Sequence, residues 1–423
     1  MTTNQWIAIA IFLFTIFSIV TEKIHRSAAA LCGAVLLLLF HIMTVDESIS
    51  FVDVNTIGVL VGMMLFVAVV KKSGLFEYIA IKSAKIAKGK PWPIMIAFII
   101  ITAVLSGLLD NVTTVLLVGP MTLAITRILG VDPIPYFMTE ILASNIGGTA
   151  TLIGDPPNIM IGSAANLSFT DFLINTGPAI LVIIITVIII FYYVYGKSMH
   201  VDQENVTAVM NLDENKAIED MPLLIKSVIM IVLVMIAFII HDSLNIESSA
   251  IALTAATIML IIGKQDVEEI VLDVEWPTII FFIGLFVVVG GLEKTGVINK
   301  LASGLLNLTD GNVVFTMILI LWLSAVISAF LDNIPFVATL IPLIMAIKAS
   351  GDMDVTSLWW ALSLGACLGG NGSLIGASAN VVLSGISTKG GYPITFKSFF
   401  KVGFPIMILS IIISSVYLLI RFA

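Results

Sequence analysis

Apolar runs follow one another along almost the whole chain, separated by short polar breaks. The first is Trp6–Val20, and others fall at 27–43, 55–70, 93–127, 135–165, 172–195, 222–240, 248–262, 277–291, 312–347, 356–387 and 396–420. About 20 apolar residues of helix cross a bilayer core, so each simple run predicts one span. The chain length allows roughly ten to twelve passages joined by short loops. No Lys or Arg precedes Trp6–Val20 and no small-residue cleavage site follows it, so it reads as a first span and not as a leader. The runs over 93–127, 135–165, 312–347 and 356–387 are too long for one helix, and each is interrupted by polar or helix-breaking residues. One stretch, 197–220 (KSMHVDQENVTAVMNLDENKAIED), is hydrophilic. It divides the chain near its midpoint and reads as a flexible cytoplasmic linker between residues 1–196 and 221–423.

The two parts repeat. A shift of 222 residues superimposes Gly62 on Gly284, Lys72-Ser73-Gly74 on Lys294-Thr295-Gly296, and Asp110-Asn111 on Asp332-Asn333. It also carries Pro120 onto Pro342, Gly147-Gly148 onto Gly369-Gly370, Leu152-Ile153-Gly154 onto Leu374-Ile375-Gly376, and Asn158 onto Asn380. Ungapped agreement at polar and glycine positions marks an internal duplication, which compositional bias does not produce. With the N-terminus outside, all but four of the 20 basic residues fall on the cytoplasmic side, among them Lys23, Arg26 and the lysines of 71–90. Each part then crosses the membrane about five times. An odd number inverts the second repeat relative to the first and places a shared site near the bilayer midplane. The lysine-rich 74–90 fits an amphipathic helix lying on the membrane surface.

Composition narrows the function classes. The chain is 59% hydrophobic and 11% charged, against about 45–50% and about 25% in soluble domains, which excludes a soluble enzyme. A net charge of −8 without a basic domain excludes a nucleic-acid partner. Cys32 and Cys367 both sit in apolar context and make no disulfide framework. His25, His41, His200 and His241 are never paired at metal-ligand spacing, so no bound metal is expected.

Two pairs of motifs carry candidate chemistry. Leu109-Asp110-Asn111-Val112 and its twin Leu331-Asp332-Asn333-Ile334 each lie mid-run, flanked by apolar legs of about 16 residues. Neighbours this apolar do not suit a turn in water. A re-entrant hairpin with its tip inside the membrane, lining a wet cavity, fits better. A carboxylate at that depth costs at least about 2.5–3.5 kcal/mol on insertion scales, which makes Asp110 and Asp332, with Asn111 and Asn333, candidates for ion or substrate binding. The structural alternative is that each Asp caps its second leg, and the two roles can coexist.

Ser144–Asn158 (SNIGGTATLIGDPPN) and Ala366–Asn380 (ACLGGNGSLIGASAN) cannot be continuous helix. A broken span leaves half-helix ends whose N–H groups suit an anion or oxygen-rich ligand and whose carbonyls suit a cation. Asn145, Thr149, Thr151, Asn158, Asn371, Ser373, Ser378 and Asn380 supply side-chain ligands there. Close packing explains the glycine pairs but not these residues. Asp155 precedes Pro156-Pro157 and is expected mainly to cap the following half-helix, with ion binding as the alternative.

Neither hairpin core nor either broken segment contains Lys or Arg, whereas Asp110, Asp155 and Asp332 are acidic. That balance favours a cation, a proton or a neutral polyhydroxyl solute over a di- or tricarboxylate. Cys367 falls opposite Asn145, and one thiol cannot make a three-sulfur arsenic site. An intramembrane aspartyl protease would carry Gly-x-Gly-Asp, which Gly107-Leu108-Leu109-Asp110 lacks, so no enzymatic activity is expected.

LDNVTTVLLVGP (109–120) followed by NIGGTATLIGDPPNIMIG (145–162) resembles the ArsB/NhaD/P-protein group of the ion transporter superfamily, with motifs nearest the P-protein branch. The resemblance covers essentially the whole chain. It implies an all-α polytopic membrane protein of two inverted-topology repeats, each with one re-entrant hairpin and one broken helix, in which a scaffold carries an elevator-type transport domain. It also implies a homodimer in the cell (plasma or inner) membrane. The activity expected is secondary active transport: proton-motive-force-driven efflux of arsenite or antimonite, with Na+/H+ antiport as the alternative. A dicarboxylate transporter or an anion channel stands behind these. Uncharged arsenous acid suits a site lined by Asn, Thr and Ser without arginine. No cofactor is expected beyond a coupling ion, H+ or Na+. The expected partners are the lipid bilayer, a small inorganic substrate and a soluble ATPase of the kind some arsenite pumps use.

Overall fold

Each apolar run becomes a helix, and each break falls where glycine, proline or a polar tip stands. The computed structural model describes residues 1–21, 23–351 and 353–422, and these are helical or irregular without a strand. The first part comprises α1 (Thr3–Val20), α2 (Arg26–Leu39), the short α3 (Val45–Ser50), α4 (Val54–Lys71), α5 (Leu75–Ile86), α6 (Pro91–Leu108), α7 (Asn111–Leu129), α8 (Ile134–Gly148), α9 (Pro156–Ala165), the short α10 (Phe169–Asn175) and α11 (Gly177–Val194). The linker holds α12 (Gln203–Met210). The second part comprises α13 (Met221–Ile240), α14 (Ser248–Gly263), the short α15 (Val267–Leu272), α16 (Trp276–Lys294), α17 (Val297–Thr309), α18 (Val313–Ser328), α19 (Asn333–Ser350), α20 (Thr356–Gly369), α21 (Ser378–Lys389) and α22 (Phe396–Phe422). Among the described residues nine helices are long and apolar enough to cross a membrane, or ten if the bent pair α17–α18 is one span. The helices α2 and α14 are apolar but shorter, at 14 and 16 residues.

The 222-residue offset recurs element by element: α2 starts at 26 and α14 at 248, α4 at 54 and α16 at 276, α9 at 156 and α21 at 378. Contacts between the parts recur in the same register, α4 lying against α14 and α2 against α16. A Cβ on Gly62 would stand 2.6 Å from the Ala252 backbone, and one on Gly284 would stand 2.7 Å from that of Ala30. Bare glycine at both crossings lets the backbones touch, which is where dispersion packing holds apolar helices together in lipid.

Helices α6 and α7 form one hairpin, α18 and α19 the other. Leu109, Asp110 and Asn111 at the first tip are 5%, 8% and 4% exposed. The tip therefore ends against protein, and Asn333 at the second tip is buried likewise.

The linker differs from expectation. It is packed, not free chain. Glu214 pairs with Lys82 at 3.2 Å and Lys85 at 2.5 Å, and Lys85 also donates to the Leu212 carbonyl at 3.0 Å. Asn205 Nδ2 donates to the Leu129 carbonyl at 3.0 Å, and Val209 is fully buried. The lysines of α5, within the segment read from sequence as an amphipathic helix on the membrane surface, meet Glu214 of the same chain. The bond from Lys85 holds the Glu214 carboxyl down to about 2.

Candidate functional site

Both broken spans are built the same way. A Cβ on Gly147 would meet the Ala103 carbonyl oxygen at 2.1 Å, and one on Gly369 would meet Ala325 Cα at 2.7 Å, so the glycines let a hairpin leg press against each broken helix. Ser106 Oγ and Ser328 Oγ donate across the same contacts to the Ser144 and Ala366 carbonyls, each at 2.6 Å. The chain leaves α-geometry after Gly148 and after Gly369 and resumes it at Pro156 and Ser378.

The breaks free backbone carbonyls, and side chains take them up. Asn158 Nδ2 folds back to the Thr151 carbonyl at 2.9 Å, and Asn380 Nδ2 to those of Gly370 and Ser373 at 2.8 and 2.9 Å. Thr149 Oγ1 donates to the Asn145 carbonyl (2.6 Å), Thr151 Oγ1 to that of Gly107 (2.5 Å), and Ser373 Oγ accepts from Ile375 N (3.3 Å). These residues brace the irregular backbone, as buried polar groups in lipid must. Cys367 Sγ donates to Asn158 Oδ1 at 3.5 Å.

Between the braces runs a chain of amides. Asn145 Nδ2 donates to Asn371 Oδ1 and to Asn380 Oδ1, both at 2.9 Å, which ties the first broken span to the second. Asn145 Oδ1 accepts from Asn111 Nδ2 at 3.3 Å. Asn111 and Asn333, one from each hairpin tip, both donate to the carboxylate of Asp155 at 3.3 Å. Asp155 is the N-cap of α9 by position, yet its side chain makes no capping bond. The capping expectation is thus corrected: the two amides occupy the carboxylate that would have turned to the helix end.

The hairpin aspartates do cap. Asp110 Oδ1 accepts from Thr113 N at 2.8 Å and its Oδ2 from Thr113 Oγ1. Asp332 Oδ1 accepts from Ile334 N at 3.1 Å. Its other oxygen does something different, accepting from Ser378 Oγ at 2.9 Å and Arg26 Nη1 at 3.2 Å. Arg26 also donates to Ser378 Oγ and, through Nη2, to Thr278 Oγ1 at 3.0 Å, while Thr278 in turn donates to Glu275 at 3.1 Å.

The site is therefore not free of arginine. Arg26, counted from sequence as a cytoplasmic charge, enters it from the first turn of α2, and Glu275 enters from the N-cap of α16. A signal for Glu275 was present. The same shift of 222 pairs Asp53-x-x-Thr56 with Glu275-x-x-Thr278, and Thr56 Oγ1 bonds Asp53 at 2.6 Å as Thr278 bonds Glu275.

A small cavity of about 20 Å³ lies among these groups, lined by Asp110, Asn111, Asp155, Glu275, Asn333 and Arg26, with others. That volume holds about one water or one bare monovalent ion. Among the described residues no three His, Cys, Asp or Glu converge as a chelating metal set. A wider vestibule of about 340 Å³ reaches Arg26, Asp332 and Ser378 from one side and is otherwise mainly apolar, with Ile24, Leu331 and Val381 in its wall.

Comparison with known proteins places this geometry. The family model described as Citrate transporter, CitMHS, matches residues 16–365. An uncharacterized transporter of Mycobacterium tuberculosis (strain ATCC 25618 / H37Rv) is 42% identical over 98% of both chains. The P protein of Mus musculus is 31% identical over 98% of this chain and 60% of its own, in keeping with the motif resemblance. Among solved structures, the YdaH transporter of Alcanivorax borkumensis matches with a TM-score of 0.54 at 14% identity, covering 99% of this chain and 97% of that one. At that identity the likeness is one of fold.

Proposed function

The chain belongs to the CitMHS family of membrane transporters, and on that premise we propose that it is an ion-coupled secondary transporter whose coupling ion, H+ or Na+, enters the cavity beside Asp155. One observation carries the reading: a buried carboxylate is held by an amide from each of two hairpin tips. An ion or proton that neutralises Asp155 removes what Asn111 and Asn333 point at, so occupancy and hairpin position are linked. Inverted repeats and an elevator-like movement suit this arrangement, since both tips meet at one point. The protein is multi-pass, and the plasma membrane, an outside N-terminus, a cytoplasmic linker and a homodimer complete the proposal. An ion gradient supplies the driving force, so the mechanism does not require a soluble ATPase.

The solute follows from charge and size. Export of arsenite or antimonite was expected from a site without arginine, and Arg26 removes that support. Around the inner cavity three carboxylates, Asp110, Asp155 and Glu275, face one guanidinium, which favours Na+/H+ exchange. A second reading, a carboxylate anion moved with a cation, is favoured by Arg26 facing the vestibule and agrees with the family's description. Purified protein in proteoliposomes with an imposed pH gradient tests these. Collapse of the gradient on adding Na+ supports exchange. Collapse with citrate, arsenite or antimonite but not with Na+ overturns it, and no response to any of them overturns coupling to protons.

A further inference from the structure

We infer that Arg26 is a built-in competitor for the transported cation, a latch that holds the empty site still until a cation releases it. The inference rests on the ion-coupled reading above and goes beyond it by naming the group that forbids movement of an empty carrier.

The geometry is that of a bridge. Arg26 opens α2, which lies against α16, and its third polar partner, Thr278, belongs to α16. Asp332 and Ser378 open α19 and α21, the second leg of a hairpin and the second half of a broken span. One guanidinium thus ties α2 and α16 to the two elements that an ion would move. It also lies 5.3 Å over the Phe281 ring, a contact that favours a cation at that spot. Arg26 and Asp332 are 26% and 14% exposed at the side chain, so the pair is sheltered yet reachable from the vestibule.

Position makes the guanidinium a competitor. Arg26 and Ser378 line both the vestibule and the inner cavity, so a cation travelling inward meets them first. The charged groups around that path are Asp332, Asp110, Asp155 and Glu275, with His25 next in the chain turned to Ser27 at 2.6 Å. In the empty site the guanidinium supplies positive charge to this acidic set. A proton or Na+ on Asp332 takes away the partner that holds it, and α19 and α21 are freed from α2 and α16. An arginine stays protonated throughout, so cation occupancy, not titration of the latch, works the release.

The device has no twin. The shift of 222 places Ser248 opposite Arg26 and Pro156 opposite Ser378, and Asp110, opposite Asp332, is satisfied by its own Thr113. The second repeat alone is latched, and only from the vestibule side.

Na+ flux from proteoliposomes tests the latch, with wild type, Arg26→Gln and Arg26→Lys compared for monodispersity and thermal midpoint. Removing a competitor should lower the apparent KM for Na+ by roughly tenfold, within the range of about 5–150-fold typical of linked sites. Na+ efflux into Na+-free buffer should fall at high pH in wild type, where protons for the return step are scarce, and persist in Arg26→Gln. Arg26→Lys keeps the charge and should restore much of the wild-type pH profile. If Arg26→Gln misfolds, Ser378→Ala loosens the same bridge and should shift KM and pH profile in the same direction by less. Folded Arg26→Gln with unchanged KM and pH profile would leave the residue a packing element and overturn the latch. Loss of all flux in folded Gln and Lys variants would make Arg26 a substrate ligand and overturn it too. Wild type that moves no Na+ defeats the Na+/H+ exchange on which the latch rests, and the latch falls with it.

Discussion

Asn145 ties the first hairpin tip to both halves of the second broken span, and replacing it with alanine gives a sharp test of the structure. Asn145→Ala deletes two 2.9 Å bonds, to Asn371 and Asn380, and one 3.3 Å bond from Asn111. Asn145, Asn371 and Asn380 are fully buried, so the orphaned oxygens find no water. Leaving a buried acceptor unpaired costs about 1–3 kcal/mol, which puts two of them at about 2–6 kcal/mol. Hydrogen bonds between helices in membranes average nearer 0.6 kcal/mol, because the unfolded state in the membrane also finds partners. Between these limits the expected loss is about 2–4 kcal/mol. Reversible unfolding in mixed detergent micelles measures it, and Asn371→Ala alone and in combination completes a double-mutant cycle. Residues that share a bond couple by about 0.5–3 kcal/mol. A loss under about 0.5 kcal/mol for Asn145→Ala, or strict additivity in the cycle, would mean that the amide bridge between the broken spans does not form.

Asp155→Asn should stay folded but lose pH-coupled flux, because an amide there cannot carry the charge that Asn111 and Asn333 address. Full coupling in that variant would remove Asp155 from the site. Gly62→Ala places a Cβ 2.6 Å from the Ala252 backbone, an overpacking that costs about 1–3 kcal/mol. Gly304→Ala, with nothing within 4 Å, should be neutral or gain about 0.5–1 kcal/mol from helix propensity; equal behaviour of the two in the unfolding assay would refute the close crossing. Glu214, held down to about 2 from an ordinary 4.5, contributes its linker contact fully above the ordinary value and loses it as pH falls toward 2. Proteolysis of the linker should therefore be level from pH 8 to 6, and faster in Glu214→Gln at pH 7; onset of cleavage already at pH 6 in the wild type would contradict the pairing.

Much of this was legible in the sequence because lipid makes the code coarse. Apolar length marked the spans, and Gly147-Gly148, Gly369-Gly370 and Pro156-Pro157 marked the breaks, since paired glycines weaken a helix and a proline suits the first turn of the next. The offset of 222 exposed the twin hairpins directly. What sequence reading missed came from charges at span ends. Arg26 looked like a topology signal because a pattern sees only that a basic residue precedes an apolar run. That α2 leans on α16, and so aims its first residue at Asp332, is a tertiary fact. The side chain of Asp155 was misjudged for a similar reason: its local helix end was visible, whereas Asn111 and Asn333 lie 44 and 178 residues away. The linker's acidic Glu214 and the lysines of α5 were both plain, but nothing local said that they would meet.

The exchange of partners between α2 and α16 and between α4 and α14 sets the order in which the protein can be made. When residues 1–196 have left the ribosome, Gly62 and Ala30 already sit in the bilayer with the faces that α14 and α16 will cover still open. The first half therefore waits, inserted but incomplete, through synthesis of the linker and the next two long helices. Lipid, or the insertion machinery, must occupy those faces in the interval. A stalled or truncated chain ending before Trp276 would expose the Ala30 surface permanently, and it should be recognised and degraded within the membrane, unlike a chain ending just after Lys294.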